Sequence, residues 1–360
     1  MKFKFLLFIL IIWQTGISQV GVGTGFVGKQ KRLGKKQKAK IKDKLENFKK
    51  TKTIFVLSDI YDKPTYDSIL KASWHVTPFE VVKQKDFNFN DYGGDQYSFA
   101  RIVGNRTTKI NEKNHRRSVS LRLYIEIVMY DFDKINEKLD RMSPRRRANN
   151  ISNIFDRYKI DIAQILLYPT GKFAMYFVKV DQFKIIPDEE KTKKKIVEKI
   201  NTDDVFINYK PGFLKNYFQK VNDLIQKNQV YWMYVKNPES LPELKNLKKK
   251  TLYVPDFVAR KYLAFSGSYK KPDKAYLDKL FKNYNYKYQM ISSDELNKKI
   301  MQNELIYYLM YVRLNSERFV SVVNAQTGEI VYRAYFPMGY NLKSKHISKL
   351  NKAIQKAAKN

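Results

Sequence analysis

A recurrence constrains this chain more than any other feature. The run Lys52-Thr53-Ile54-Phe55-Val56-Leu57-Ser58-Asp59 returns late in the sequence as Lys250-Thr251-Leu252-Tyr253-Val254-Pro255-Asp256. Each run is short, apolar and rich in β-branched and aromatic residues, and each closes on an acidic turn residue. That is the pattern of a buried strand. Similar elements follow each copy in similar order. After the first, the spacing predicts a helix over 66–74, with Ile69, Leu70 and Trp74 apolar, then strands over 77–82, 96–103 and 118–130. In the last of these Val119, Leu121, Leu123 and Ile125 share one face. After the second copy come a helix over 275–281, a strand over 286–291 and a short helix with Ser293 as its cap. A strand over 305–313 and a hairpin over 319–335, turning at Ala325-Gln326-Thr327-Gly328, complete it. A matching hairpin is expected over 162–178, turning at Pro169-Thr170-Gly171. The prediction is an α/β (α+β) protein of two weakly related units with mixed sheets, 52–180 and 248–337. A length of 360 residues suits two domains.

A helical connection, 181–247, is expected between the units. Lys-rich helical sequence runs from Asp188 to Ile200. From Pro211 to Gln226 the pattern is amphipathic: Leu214, Tyr217, Phe218, Val221, Leu224 and Ile225 form a 3.6-residue stripe, and Pro211 suits a first turn. Such a stripe is expected in a domain core or between domains.

The termini carry much of the charge. Lys and Arg number 69 against 35 Asp and Glu, a formal net charge of +34. Residues 1–18 form a secretory signal peptide pattern. Lys2 and Lys4 precede the apolar run from Phe5 to Trp13, and Gly16-Ile17-Ser18 offers small residues for cleavage after Ser18. Residues 19–51 are expected to be a basic flexible arm, since 29–50 hold 11 basic and two acidic residues. Residues 338–360 are expected to be a basic C-terminal tail, in which Ile347, Leu350, Ile354 and Ala357 make a narrow apolar face able to dock on the domain. Half of the positive excess lies on these terminal segments.

Several chemistries are excluded. The chain has no cysteine, hence no disulfide, thiolate nucleophile or cysteine metal site. Its three histidines, His75, His115 and His346, are scattered and read as packed or solvated. Gly23-Thr24-Gly25-Phe26-Val27-Gly28 matches a dinucleotide fingerprint by letter, but the apolar stretch before it reads as the signal and not as the strand of a βαβ unit that the fingerprint needs, so a flexible leader is expected there. No cofactor, metal or catalytic grouping is expected. One candidate crevice remains, at Asp59 and Asp256, because strand ends in open α/β sheets commonly face a ligand. Turn capping is the plainer role for both. Candidate basic contacts are Arg116, Arg117, Arg145, Arg146 and Arg147. They match no nucleic-acid recognition motif, and export removes intracellular nucleic acid as a partner.

The residues 52–59, the helix from Tyr66, Phe79-Glu80-Val81-Val82 and Gln326-Thr327-Gly328-Glu329-Ile330-Val331-Tyr332 resemble two families of envelope domain. These are the TolB N-terminal domain and the curli-secretion-channel proteins. The chain departs from both: it has no propeller repeat, no lipidation cysteine and no pore-forming hairpin. The resemblance implies an envelope location and a non-catalytic interaction domain, and it transfers no functional residues. The expectation is an exported protein of the periplasm or cell exterior that acts with envelope proteins by interaction or assembly. Binding to an anionic surface (lipid or extracellular nucleic acid) is the alternative, and carboxylate-dependent hydrolysis is a second.

Overall fold

Two six-stranded mixed sheets carry the fold. In the computed structural model the described residues are 19–24, 33–110, 117–179, 195–202 and 205–359. The first sheet holds β1 (Val20–Val22), β2 (Lys52–Leu57), β3 (Phe79–Lys83), β4 (Tyr97–Ile110), β5 (Arg117–Tyr130) and β6 (Lys159–Leu167), in the order β1-β6-β5-β4-β2-β3. The second half of the chain supplies β7 (Glu239–Ser240), β8 (Leu252–Pro255), β9 (Lys261–Leu263) and β10 (Ser268–Lys270), then β11 (Tyr288–Ile291), β12 (Tyr307–Leu314), β13 (Glu317–Asn324) and β14 (Ile330–Phe336). Of these, β9 and β10 pair only with each other, and the second sheet runs β11-β8-β12-β13-β14-β7.

The two orders are the same order. Exchanging β2 for β8, β3 for β11, β4 to β6 for β12 to β14 and β1 for β7 converts one sheet into the other. Every pair keeps its sense: β2 is parallel to β3 and β4, β8 is parallel to β11 and β12, and the remaining ladders are antiparallel. The ladders β5–β6 and β13–β14 even share a register irregularity, at Ile127/Val128 and Val322/Val323. Each unit therefore begins with a short antiparallel edge strand that lies before the recurring run.

The helices are α1 (Lys35–Phe48), α2 (Lys63–Lys71), α3 (Phe132–Asp140), α4 (Pro144–Arg157), α5 (Gly171–Lys179), α6 (Pro211–Gln226), α7 (Lys274–Phe281), α8 (Ser293–Met301) and α9 (Ser344–Ala357). Three expectations need correction. Within 19–51, the described residues are structured: β1 is buried against β6, and α1 buries Leu45 and Phe48. Lysines on the outer face of α1 dominate its composition and mask the apolar side that packs. The expected hairpin at 162–178 is a strand followed by α5. Phe173 and Phe177, four residues apart, pack together on one helical face with tilted rings whose centroids are 4.9 Å apart. A short apolar run fits either period, and here the helical one wins. The cap of α8 is Ser292 rather than Ser293. Its hydroxyl accepts from Glu295 N at 3.1 Å while Ser292 N donates to Glu295 Oε2 at 3.2 Å, a reciprocal capping box.

The amphipathic stripe at 211–226 is core to both units. Along α6, Phe213 packs on Phe257 and Tyr308 of the second unit, and Phe218 packs on Phe55 and Trp74 of the first. Its polar residues also divide. Gly212 N donates to Asn297 Oδ1 at 2.7 Å, whereas Asn222 Oδ1 accepts from the backbone N–H of His75 and Val76 at 2.7 and 2.8 Å. Lys215 is fully buried, and its ammonium donates to Ile300 O at 2.9 Å and to Asn303, capping the end of α8. Burial lowers the Lys215 pKa. One hydrophobic core consequently runs through both units. The C-terminal helix α9 closes it, burying the expected face Ile347, Leu350, Ile354 and Ala357.

Candidate functional site

The shared topology isolates what each unit adds. In the first unit, residues 58–62 link β2 directly to α2. In the second, the equivalent connection runs from 256 to 273 and holds a helical turn, Asp256–Ala259, and the β9–β10 hairpin. This insertion leaves the carboxyl end of a parallel strand, the edge where open α/β sheets carry ligands. At its tip Phe265 is 97% exposed. The base of the hairpin is stitched to the loop after β14: Tyr262 N donates to Asn341 Oδ1 at 2.6 Å and Asn341 Nδ2 donates back to Tyr262 O at 3.1 Å. That loop presents Met338, 86% exposed, at a left-handed φ of 53°.

The loop is held from below by two buried arginines. Arg318 on β13 donates to the carbonyls of Phe336, Pro337, Met338 and Asn341 at 2.8 to 3.3 Å. Its planar fork fixes four carbonyls at once, which lets a methionine occupy a backbone region that costs ordinary residues about 1 kcal/mol or more. Arg313 on β12 lies 3.4 Å from the Tyr262 ring centroid and 5.7 Å from that of Tyr340. On the other side Gly171 and Gly267 meet backbone to backbone. A Cβ on Gly171 would fall 1.8 Å from the Gly267 carbonyl oxygen. Exposed Leu263, Phe265, Met338 and Tyr340 thus sit on a frame fixed from beneath.

A second feature is a cavity of about 160 Å³ beside the edge strand β7. Its walls come from the C-terminal half of α6, from residues 229–231 and from β7 and β14. Tyr231 bridges to Val22 of β1 by two backbone hydrogen bonds of 2.9 Å. Above its ring stand Arg333, at 3.9 Å from the centroid, and Lys220 at 5.2 Å. Lys220 pairs with Glu329 at 2.6 Å, and Arg333 reaches Glu239 at 3.5 Å. Burial pushes the Arg333 pKa down to about 10, against the opposing pull of Tyr231, Glu239 and Glu329. The same burial raises the Tyr231 phenol.

The residues singled out in the sequence fall elsewhere. Asp59 is exposed after β2. Asp256 starts its helical turn, paired with Arg260 and accepting from the Ser293 hydroxyl at 3.2 Å. Neither lines the cavity. Asp256 nevertheless marks the root of the inserted hairpin. Arg145, Arg146 and Arg147 are exposed in the first turn of α4, with Arg147 3.5 Å from Asp140 and donating to Met142 O at 3.1 Å. Arg116 and His115 lie outside the described residues, and Arg117 opens β5. Among the described residues no group of His, Asp and Glu could hold a metal ion, and no helix is long and apolar enough to cross a membrane. No protein-family model, curated protein or solved structure matches the chain. Arg313, Arg318, Tyr231 and Arg333 carry no motif in the sequence. The only signal of the three arginines is charge inside otherwise apolar strands, and Tyr231 has none.

Proposed function

We propose that this chain is an exported, non-enzymatic protein of the cell envelope that acts by docking onto a partner protein in an assembly. The observation that carries this is the pair Phe265 and Met338, fully presented to solvent on a frame that buried arginines hold in place. Phe, Met and Tyr are among the residues enriched at protein interfaces. A preformed frame lowers the ordering cost of binding. Lys261, Lys270, Lys271, Lys343 and Lys345 flank the apolar residues in sequence, so the partner surface is an apolar recess with an acidic rim. The signal peptide pattern and the resemblance to envelope interaction domains support the location.

The test is a photo-reactive phenylalanine placed at Phe265 or Met338 in cells that export the protein. Expected are a mature N-terminus at Gln19 and one protein adduct of the same identity from both positions. The adduct is absent when the probe sits at exposed Ile151, and Phe265→Asp abolishes the adduct formed from 338. Equal labelling from 265 and 151, or retention in the cytoplasm, refutes the proposal. The flanking lysines favour one second reading, docking on an anionic membrane. Lipid adducts alone, with flotation on phosphatidylglycerol vesicles, would replace the protein partner with that surface.

A further inference from the structure

Cleavage after Ser18 makes Gln19 the first residue of the mature chain, and the fold buries that residue. Gln19 is 4% exposed and stands at the head of β1, whose Val20 and Val22 are completely buried. Its carbonyl accepts from Leu166 N on β6 at 2.7 Å. Its side-chain Nε2 is buried and has no hydrogen-bond partner. With Asn216, Tyr217, Lys220, Met310 and Ser321 it lines a cavity of about 10 Å³, room for one water molecule at most.

A new N-terminus at this place raises a problem of charge. A free α-amine has a pKa of about 8 and is largely protonated at neutral pH. An ammonium needs water or a carboxylate beside it, and burial without either is costly. Among the described residues that line the cavity there is no carboxylate. The buried cation among them, Lys220, already takes Glu329 at 2.6 Å.

An N-terminal glutamine can shed the charge by itself. Its uncharged α-amine attacks Cδ of its own carboxamide. The N–Cδ bond forms, the Cδ–Nε2 bond breaks, and Nε2 leaves as ammonia with a proton from the amine. The product is a lactam, pyroglutamate, which is uncharged at neutral pH. No oxidant or co-substrate is consumed. The group lost is the one without a partner in the fold, and the carbonyl bonded to Leu166 is untouched.

We propose that Gln19 is a modification site: the mature chain begins with pyroglutamate, closed before β1 docks and then buried with it. The proposal rests on the reading of residues 1–18 as a cleaved signal, and the test separates the two.

The test is intact mass and Edman sequencing of the chain recovered cold and quickly from cells that export it. The mass is expected to lie about 17 Da, one ammonia, below that of unmodified 19–360, with no Edman signal. Pyroglutamyl peptidase is expected to release residue 19 from the isolated peptide 19–29, after which Val20 reads first. Release from the native chain is expected to be at least about tenfold slower, because β1 must open first. A chain that starts at Gln19 with a readable free amine overturns the lactam and leaves export standing. A start at any other residue overturns both. Equal release from the native chain and the peptide overturns the burial of the modified residue.

Discussion

At the scale of single residues, buried polar and titratable side chains do the structural work. His346 is the clearest case. It belongs to a segment that reads as a basic tail, yet it is completely buried, stacked on Phe336 with ring centroids 4.0 Å apart. Its Nδ1 accepts from Lys343 N at 3.1 Å, capping α9. Burial, helped by Arg318, Lys345, Lys343 and Lys349, pushes its pKa down to about 3 from the ordinary 6.5. The unfolded chain therefore takes up a proton that the folded chain refuses. The stability associated with neutral His346 is complete above about pH 6.5 and declines as the pH falls toward 3, by a few kcal/mol at most. His346→Gln keeps an acceptor at the capping position and removes the titration. We expect urea midpoints measured from pH 7 to 4 to fall less steeply for His346→Gln than for the unaltered chain. Equal slopes would show that His346 is not what titrates. The sequence held no hint of this burial, because nothing local distinguishes a histidine in a lysine-rich helix from a solvated one.

At the scale of elements, legibility followed length and periodicity. Strands such as β5 and β12, with a long alternating or continuous apolar pattern, were readable, as was the stripe of α6. The edge strands β1 and β7, of three and two residues, were not, since no period can be seen in so few positions. Both are defined by the neighbour they pair with, β6 and β14. The same holds for α5, whose apolar run was equally compatible with a strand. Its first residue explains why the hairpin beside it can dock. Gly171 allows the backbones of α5 and the β9–β10 turn to touch, and Gly267, at a φ of +71°, turns the chain there. Gly171→Ala would place a methyl group inside the Gly267 carbonyl. Overpacking of this kind costs about 1–3 kcal/mol. We expect that loss in urea denaturation, together with faster limited proteolysis between 263 and 268. Unchanged proteolysis would mean that the hairpin does not depend on this contact. At Asp256 the strand end is where the fold adds its insertion, and the exposed residues of that insertion are apolar.

At the scale of the whole molecule, the formal net charge of +34 gives little guidance to function. Lysines concentrate on α1 and α9, whose inner faces close the core, while the charges that shape the candidate sites are the few buried arginines. Besides direct contacts such as that of Gly171 with Gly267, the two units are joined through α6. Without it the second unit would expose Phe257, Tyr308 and the carbonyl of Ile300 that Lys215 caps. The first would expose Phe55 and Trp74 and leave the N–H groups of His75 and Val76 without their acceptor. Each of those losses is worth about 1–3 kcal/mol, comparable in sum with the whole stability of a typical domain. The repeat is therefore one of topology and not of independent folding. Residues 232–360 expressed alone are expected to lack a cooperative thermal transition and dispersed amide resonances. The full mature chain is expected to unfold in one step, with tryptophan fluorescence (Trp74 and Trp232) and far-ultraviolet dichroism superimposing. Two separated transitions, or a folded 232–360 fragment, would mean that α6 is a tether between two self-sufficient domains.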